Sequence, residues 1–294
     1  MPRLIDPPVG SALDLEEVTA RLDESGVDLA NEASIARCTD LLAGLQRNRD
    51  FLADRVIAAL KASYADQLEV NRCTAQVFLL YRSLRGFYLR ANMWPSARDA
   101  VYTTSGPVAF SYGVPHDHNF HFLTTGYFGP GYVSDYYGYD AEQVDGRIGQ
   151  PLHLQFVERS QLSEGKMMLY RAHRDIHSQL PPTSLSVSLN IMDEGEHVPW
   201  HDQYIVDLDR GTIAKRPTLT SGEMLLRCAV HLTENGKDVA EQFAKAHPVP
   251  RARANAIGAL AAVEDGAGRA AVLERGMTDR DARVRDDCAR WLAA

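Results

Sequence analysis

Residues 184–192 read SLSVSLNIM. Leu185, Val187, Leu189 and Ile191 fall at every second position, with Ser184, Ser186, Ser188 and Asn190 between them. An unbroken period of two predicts a strand with one apolar and one polar face. The polar face either touches a ligand or faces solvent. From about residue 87 to 232, other short β-prone runs alternate with turn residues: FYLRANMW, AVYTT, VAFSYGV, HFLTTGYF, VSDYYGYD, LHLQFVE, KMMLYRA, QYIVDLD, TIAKRPTLTSG and EMLLRCAVHL. Strands at such spacing predict an all-β barrel or sandwich rather than a parallel sheet with crossover helices. GPG at 129–131 predicts a hairpin turn.

The flanks have a different period. Residues 1–86 read as a helical region. Asp14 is placed to cap a first helix, and 34–63 carries helical spacing through Ile35, Leu41, Leu42, Leu45, Phe51, Leu52, Val56, Ile57 and Leu60, with Gly44 as a weak point. A third helix is expected from Leu68 or Asn71 through AQVFLLYRSL. Residues 233–294 turn helical again. RARANAIGALAA (251–262) is echoed by RVRDDCARWLAA (283–294), so Arg251 matches Arg283 and Arg253 matches Arg285. Repeats of this length signal paired helices. MTDRDARVRDDCARWLAA resembles a HEAT-type repeat, which needs neighbours to bury its faces; the tail is therefore expected to dock on the barrel or, through a protein contact, on a partner. The domain expectation is a helical region at 1–86, a β-barrel at 87–232 and a HEAT-like tail at 233–294.

Bulk properties narrow the function. The chain has 294 residues, 45% hydrophobic and 24% charged, with a formal charge of −8. A sizeable core is possible, and an acidic balance without a basic patch argues against nucleic acid as partner. The N-terminus lacks the apolar core of a secretory signal, and no apolar run approaches membrane-spanning length. Cys38, Cys73, Cys228 and Cys288 are dispersed and form no CxxC pair. They read as free thiols in a reducing cytoplasm.

The chemistry concentrates in PHDHNFHF (115–122), which holds three of the ten histidines: His116, His118 and His121. Imidazole is the commonest protein ligand for transition metals. On a strand, His116 and His118 would project from one face, roughly 6–7 Å apart. A third ligand must come from elsewhere. His121 has the wrong parity unless a bulge intervenes. His173 and His177, in YRAHRDIHSQLPP, are the other candidates and share one parity. Arg171 and Arg174 could hold a substrate carboxylate, and one or two of Tyr127, Tyr132, Tyr136, Tyr137 and Tyr139 could line a pocket.

These motifs carry a resemblance. The chain from about 95 to 230 resembles a cupin barrel. PHDHNFHF is similar to the first metal motif of the cysteine dioxygenase (thiol dioxygenase) branch, which begins His-Asp-His and carries another His just after. HSQLPPTSLSVSLNI resembles that branch's second motif. The resemblance implies a mononuclear Fe(II) site on His116, His118 and His177, with His173 and His121 as rivals. The usual cupin carboxylate ligand would fall at Phe122 or Leu123, so a three-histidine site is implied. Phe122 also stands where some members carry a cross-linking cysteine, so no Cys–Tyr cofactor is expected. The family's carboxylate-binding arginine sits on an early barrel strand. Tyr102, Thr103 and Thr104 occupy the matching stretch here, with Arg90 more distant. HDQY (201–204) is similar to a supporting His/Tyr pair with spacing altered by one residue, which suggests catalytic roles for His201 and Tyr204.

The expectation is therefore a non-heme iron oxygenase that oxidises a small molecule or peptide side chain with O₂. The His-x-Asp pattern of 2-oxoglutarate enzymes is missing. Zinc or another divalent ion would also suit three imidazoles. A metal-dependent isomerase or lyase, or a non-catalytic cupin/HEAT binding module, are the alternatives.

Overall fold

The structure, a computed structural model, describes residues 2–71, 73–196 and 198–294. Its contacts divide the chain into two units, Met1–Ala141 with His153–Val198, and Glu142–Leu152 with Pro199–Ala294. It is mainly β with helical parts. In chain order the first unit holds β1 (Arg3–Ile5), α1 (Leu15–Ser25), α2 (Glu32–Arg47), α3 (Phe51–Lys61), α4 (Ala65–Val70), β2 (Val77–Arg82), β3 (Phe87–Trp94) and α5 (Ala100–Ser105). It continues with β4 (Phe122–Phe128), β5 (Val133–Gly138), β6 (Gln155–Gln161), β7 (Met167–Tyr170), β8 (Asp175–Leu180) and β9 (Ser186–Asp193).

These strands form two antiparallel sheets. One runs β1-β7-β4-β9-β3-β2 and the other β6-β5-β8. The strand that opened the reading is β9, flanked by β3 and β4. Its apolar residues Leu189 and Ile191 join Leu89 and Phe87 of β3, Leu123 of β4 and Leu169 of β7 in a core shared with α1, α2 and α3. The alternate face is also buried. Ser186, Ser188 and Asn190 are 0%, 1% and 3% exposed, so the solvated-face reading is corrected. Trp94 Nε1 donates to Ser188 Oγ at 3.0 Å, and Asn190 Nδ2 donates to Thr124 Oγ1 at 3.3 Å. This face looks onto a second core between the sheets, built of Trp94, Tyr112, Phe122, Tyr132, Tyr136, Met168, Tyr170 and Met192. A central strand covered on both sides can carry polar residues inward only where partners exist.

Several local expectations are corrected. The third helix stops at Val70, and VFLLYR is β2, paired with β3 from Val77↔Asn92 to Arg82↔Tyr88. A short apolar run does not distinguish a buried strand from a helix; pairing decides it. The helix over 34–63 breaks at Asn48, not Gly44. Gly44 stays helical and admits Leu13, whose Cδ1 would lie 2.5 Å from an added Cβ. AVYTT is α5, not a strand, and VAFSYGV begins as a 3-10 turn at Pro107–Phe110. GPG is no hairpin, because β4 and β5 lie in different sheets. It carries the chain from one to the other. Gly131 has φ +87°, and a Cβ there would meet the Leu162 carbonyl oxygen at 1.8 Å.

The second unit holds a hairpin, β10 (Ile205–Asp207) with β11 (Thr212–Lys215), then α6 (Ser221–Leu232), α7 (Glu234–Ala246), α8 (Pro250–Ala261), α9 (Gly266–Gly276) and α10 (Ala282–Leu292). EMLLRCAVHL, expected as a strand, lies in α6. Thr220 and Glu223 form a capping box that starts this helix. The echoed segments fall on α8 and α10. Their matched arginines converge: Arg251 Nη1 lies 3.0 Å from Asp202 Oδ1, and Arg283 pairs with Oδ2 of the same buried carboxylate. Arg251 also pairs with Glu223 at 2.7 Å, and Arg253 with Asp279 at 2.9 Å. Among the described residues no helix is long and apolar enough to cross a membrane.

Candidate metal centre

His116 and His118 are not on a regular strand, contrary to the parity argument. They lie in the connection between the 3-10 turn and β4. That connection is laced to β8, which also pairs with β5. Gly113 N–H donates to Gln179 O at 2.9 Å, His116 N–H to His177 O at 3.0 Å, and His177 N–H to His116 O at 2.9 Å. His173 N–H donates to His118 O at 2.8 Å. A backbone that must satisfy its polar groups indoors thereby fixes three imidazoles from two separate segments.

One ring nitrogen each of His116, His118 and His177 lies within 4.8 Å of the others. The ring centroids stand 4.4 Å apart for His116 and His177, 4.9 Å for His116 and His118, and 5.0 Å for His118 and His177. His116 Nδ1 donates to Val114 O at 2.7 Å, which leaves Nε2 as its lone-pair donor. His177 Nε2 and His118 Nδ1 are buried without a hydrogen-bond partner. Burial pushes the pKa of His116 down, and that of His118 and His177 well down; the neighbouring imidazoles add to the effect on the last two. Three neutral imidazoles, two of them with a buried ring nitrogen that lacks a hydrogen-bond partner, form a donor set that fits a divalent metal ion.

The surroundings are aromatic. Phe122 stacks on Tyr170 at 4.3 Å, and Tyr170 stands 4.9 Å from His177. The Tyr136 and Tyr170 hydroxyls are 2.7 Å apart. Burial raises the Tyr136 pKa to about 12 and those of Tyr132 and Tyr170 further, so all three stay protonated. Behind the pair of histidines, fully buried Asp117 accepts from Tyr139 OH at 2.7 Å and lies 3.6 Å from His173 Nδ1. Arg90, on the inward face of β3, acts on His118 and Tyr132 as a nearby positive charge. Arg90 Nε is buried without a hydrogen-bond partner, while the guanidinium carbon lies 5.9 Å from the Tyr88 ring centre.

The other sequence candidates fall as follows. His121 and His173 are outside the three-histidine group; His121 Nδ1 accepts from Ala172 N–H at 3.4 Å, and His173 sits in a turn at φ +55°. Arg171 grips Asp175 with Nη2 to Oδ1 at 2.9 Å and Nε to Oδ2 at 3.2 Å. Arg174 is exposed. Tyr102, on α5, packs against Phe110 and Tyr112 at the border of the aromatic core. His201 and Tyr204 belong to the second unit, whereas the three histidines belong to the first. The sequence signal for Arg90 was present: in FYLRANMW, Tyr88, Arg90, Asn92 and Trp94 alternate with Phe87, Leu89 and Ala91. A charge on one face of an otherwise buried strand calls for a compensating partner, from the protein or from a ligand.

No known protein family matches the chain, and no curated protein does. Solved structures give distant likenesses. A hydroquinone 1,2-dioxygenase, PnpCD, in complex with Cd2+ and 4-hydroxybenzonitrile is 12% identical over 44% of this chain and 71% of its own, with a TM-score of 0.26. The DMSP lyase DddQ from Ruegeria pomeroyi is 14% identical over 66% and 78%, with a TM-score of 0.27. A hydroquinone 1,2-dioxygenase from Sphingomonas with 4-hydroxybenzoate bound is 10% identical over 51% and 79%, with a TM-score of 0.27. Likenesses this distant leave the reading of the site to its own geometry.

Proposed function

We propose that the chain is a mononuclear non-heme Fe(II) oxygenase of the three-histidine cupin type, acting with O₂ on a small anionic molecule in a reducing, cytoplasmic setting. One observation carries this reading: His116 and His118, on the connection before β4, and His177, on β8, bring ring nitrogens within 4.8 Å of one another in an aromatic interior. His116, His118 and His177 would hold the ion as neutral imidazoles without offsetting its charge, and it would supply Lewis-acid and O₂-activating chemistry at the site. The protein supplies the rest. Arg90 binds the anionic group of the substrate, since a guanidinium matches a carboxylate in bidentate fashion. Tyr136 and Tyr170, kept protonated and hydrogen-bonded to each other, place a phenol pair beside His177. The aromatic walls exclude water from the reacting atoms.

A second reading is a metal-dependent lyase or isomerase that does not use O₂. The adjoining hydroxyls of Tyr136 and Tyr170, 2.7 Å apart beside His177, favour it, because paired phenols can hold a developing substrate oxyanion by hydrogen bonds without any O₂. Elemental analysis of protein purified without chelator or tag, followed by oxygen-electrode assays of the Fe(II)-loaded protein with small carboxylates, separates the readings. Substrate-dependent O₂ uptake that is lost in His177→Ala supports the oxygenase. Turnover without O₂ uptake supports the lyase or isomerase. A chain that binds no divalent ion defeats both.

A further inference from the structure

Two further side chains in this interior have unmet hydrogen-bonding capacity. Asn92 and Gln179 are 3% and 7% exposed. Asn92 Oδ1 and Gln179 Oε1 are fully buried without a partner. A buried polar atom left in this state is destabilising and calls for a bound group or an ordered water.

Both side chains belong to the site by their strand positions. Asn92 lies two residues beyond Arg90 on β3, on the face that also carries Trp94. Gln179 lies two residues beyond His177 on β8, and its backbone pairs with Tyr112 and Gly113. Tyr112, the bridge partner of Gln179, and Trp94, two residues beyond Asn92, bring their rings within 5.9 Å, so these strand segments approach one end of the aromatic interior. Along its own strand each carboxamide residue is one side-chain repeat, roughly 7 Å, from Arg90 or His177.

We propose that Asn92 and Gln179 form a neutral subsite that reads an uncharged donor–acceptor group, an amide or hydroxyl, at the end of the substrate remote from its anionic group. This deepens the reading of Arg90 as the anion partner and rests on it. A carboxamide offers both a donor and an acceptor, so a ligand amide complements it in either flip state. A site built for hydrogen bonding rejects an analogue that lacks the polar group, because its own buried atoms are then left unpaired. An apolar substrate end would therefore be excluded even though the walls are aromatic.

The test uses the full-length protein loaded with zinc and two isosteric carboxylates, glutaramate and 5-methylhexanoate, titrated by calorimetry. Wild type is expected to bind glutaramate at least about tenfold more tightly. In Asn92→Leu and Gln179→Leu this preference is expected to fall below about threefold, with zinc affinity unchanged. Equal affinity in wild type, or a preference that survives both substitutions, overturns the proposal and leaves the carboxamides holding water. Wild-type discrimination decides the matter even if a leucine variant fails to fold. Arg90→Met separates the two layers. If it weakens both ligands while wild type does not discriminate between them, only the subsite fails. If neither ligand binds wild type, or Arg90→Met changes nothing, the anion reading fails and the subsite with it.

Discussion

His116 and His177 exchange backbone hydrogen bonds, each N–H donating to the carbonyl of the other at 3.0 and 2.9 Å. This reciprocal pair, far apart in sequence, sets their rings 4.4 Å apart. An antiparallel bridge places side chains of directly opposed residues on one side, so the backbone itself aims both imidazoles at a common point. His118, two residues on, completes the group.

Metal content is expected to follow this group. His116→Ala, His118→Ala and His177→Ala each lose the bound ion, of which wild type holds about one per chain, because a mononuclear site depends on all its ligands. His121→Ala and His173→Ala retain it. Elemental analysis of the five variants checks this; retention in His177→Ala with loss in His173→Ala would reassign the third ligand.

Stability of the metal-free protein is expected to fall in mild acid. In the unfolded chain these imidazoles take up protons near about 6.5. In the folded state burial holds their pKa values lower. The unfolded state therefore binds more protons as pH drops below about 6.5, and folding stability declines until the folded-state values are reached. The melting temperature should drop more steeply between about pH 7.5 and 5.5 in metal-free wild type than in His118→Phe. Saturating divalent ion should raise it at the higher pH and less at the lower, because protons compete for the ligands. Equal slopes in the two proteins would count against buried neutral histidines.

Arg90→Met is expected to weaken binding of small carboxylates by about tenfold to a hundredfold, the order of a lost charge-assisted contact. Metal content should be unchanged, since Arg90 supplies no ligand. Calorimetric titration with propionate reads the first effect and elemental analysis the second. Unaltered affinity would remove Arg90 from the site.

Gly131→Ala should destabilise the first unit by about 3 kcal/mol, through left-handed backbone strain and overpacking against Leu162. Chemical denaturation monitored by circular dichroism measures it. A neutral result would show that the crossing between sheets has room to move.

In the second unit, Asp202→Asn should cost about 3 kcal/mol, because it removes the buried charge shared by Arg251 and Arg283. Glu223 still pairs with Arg251, and Asp287 lies 4.0 Å from Arg283, so the loss should stop short of unfolding. Urea unfolding of the full chain reads the change, and an unchanged midpoint would make the network incidental.

The sequence by itself determined the period-two strand at 184–192, the helical composition of both flanks and the dense histidines of 115–122. These are local properties, written in spacing and residue type. The helix of EMLLRCAVHL was likewise legible in the local Thr220–Glu223 capping box. Only the tertiary structure decided what pairs with what. VFLLYR became a strand because β3 lay beside it, and GPG a crossing rather than a hairpin because its flanking strands join different sheets. The same holds for the centre. Spacing put His116 beside His118, but backbone bonds between distant segments chose His177 as their neighbour, placed His173 in a turn and left the inward face of β3 to Arg90 and Asn92. Burial, and with it the demand that each enclosed polar group find a partner, is a property of the assembled sheets and of no single segment.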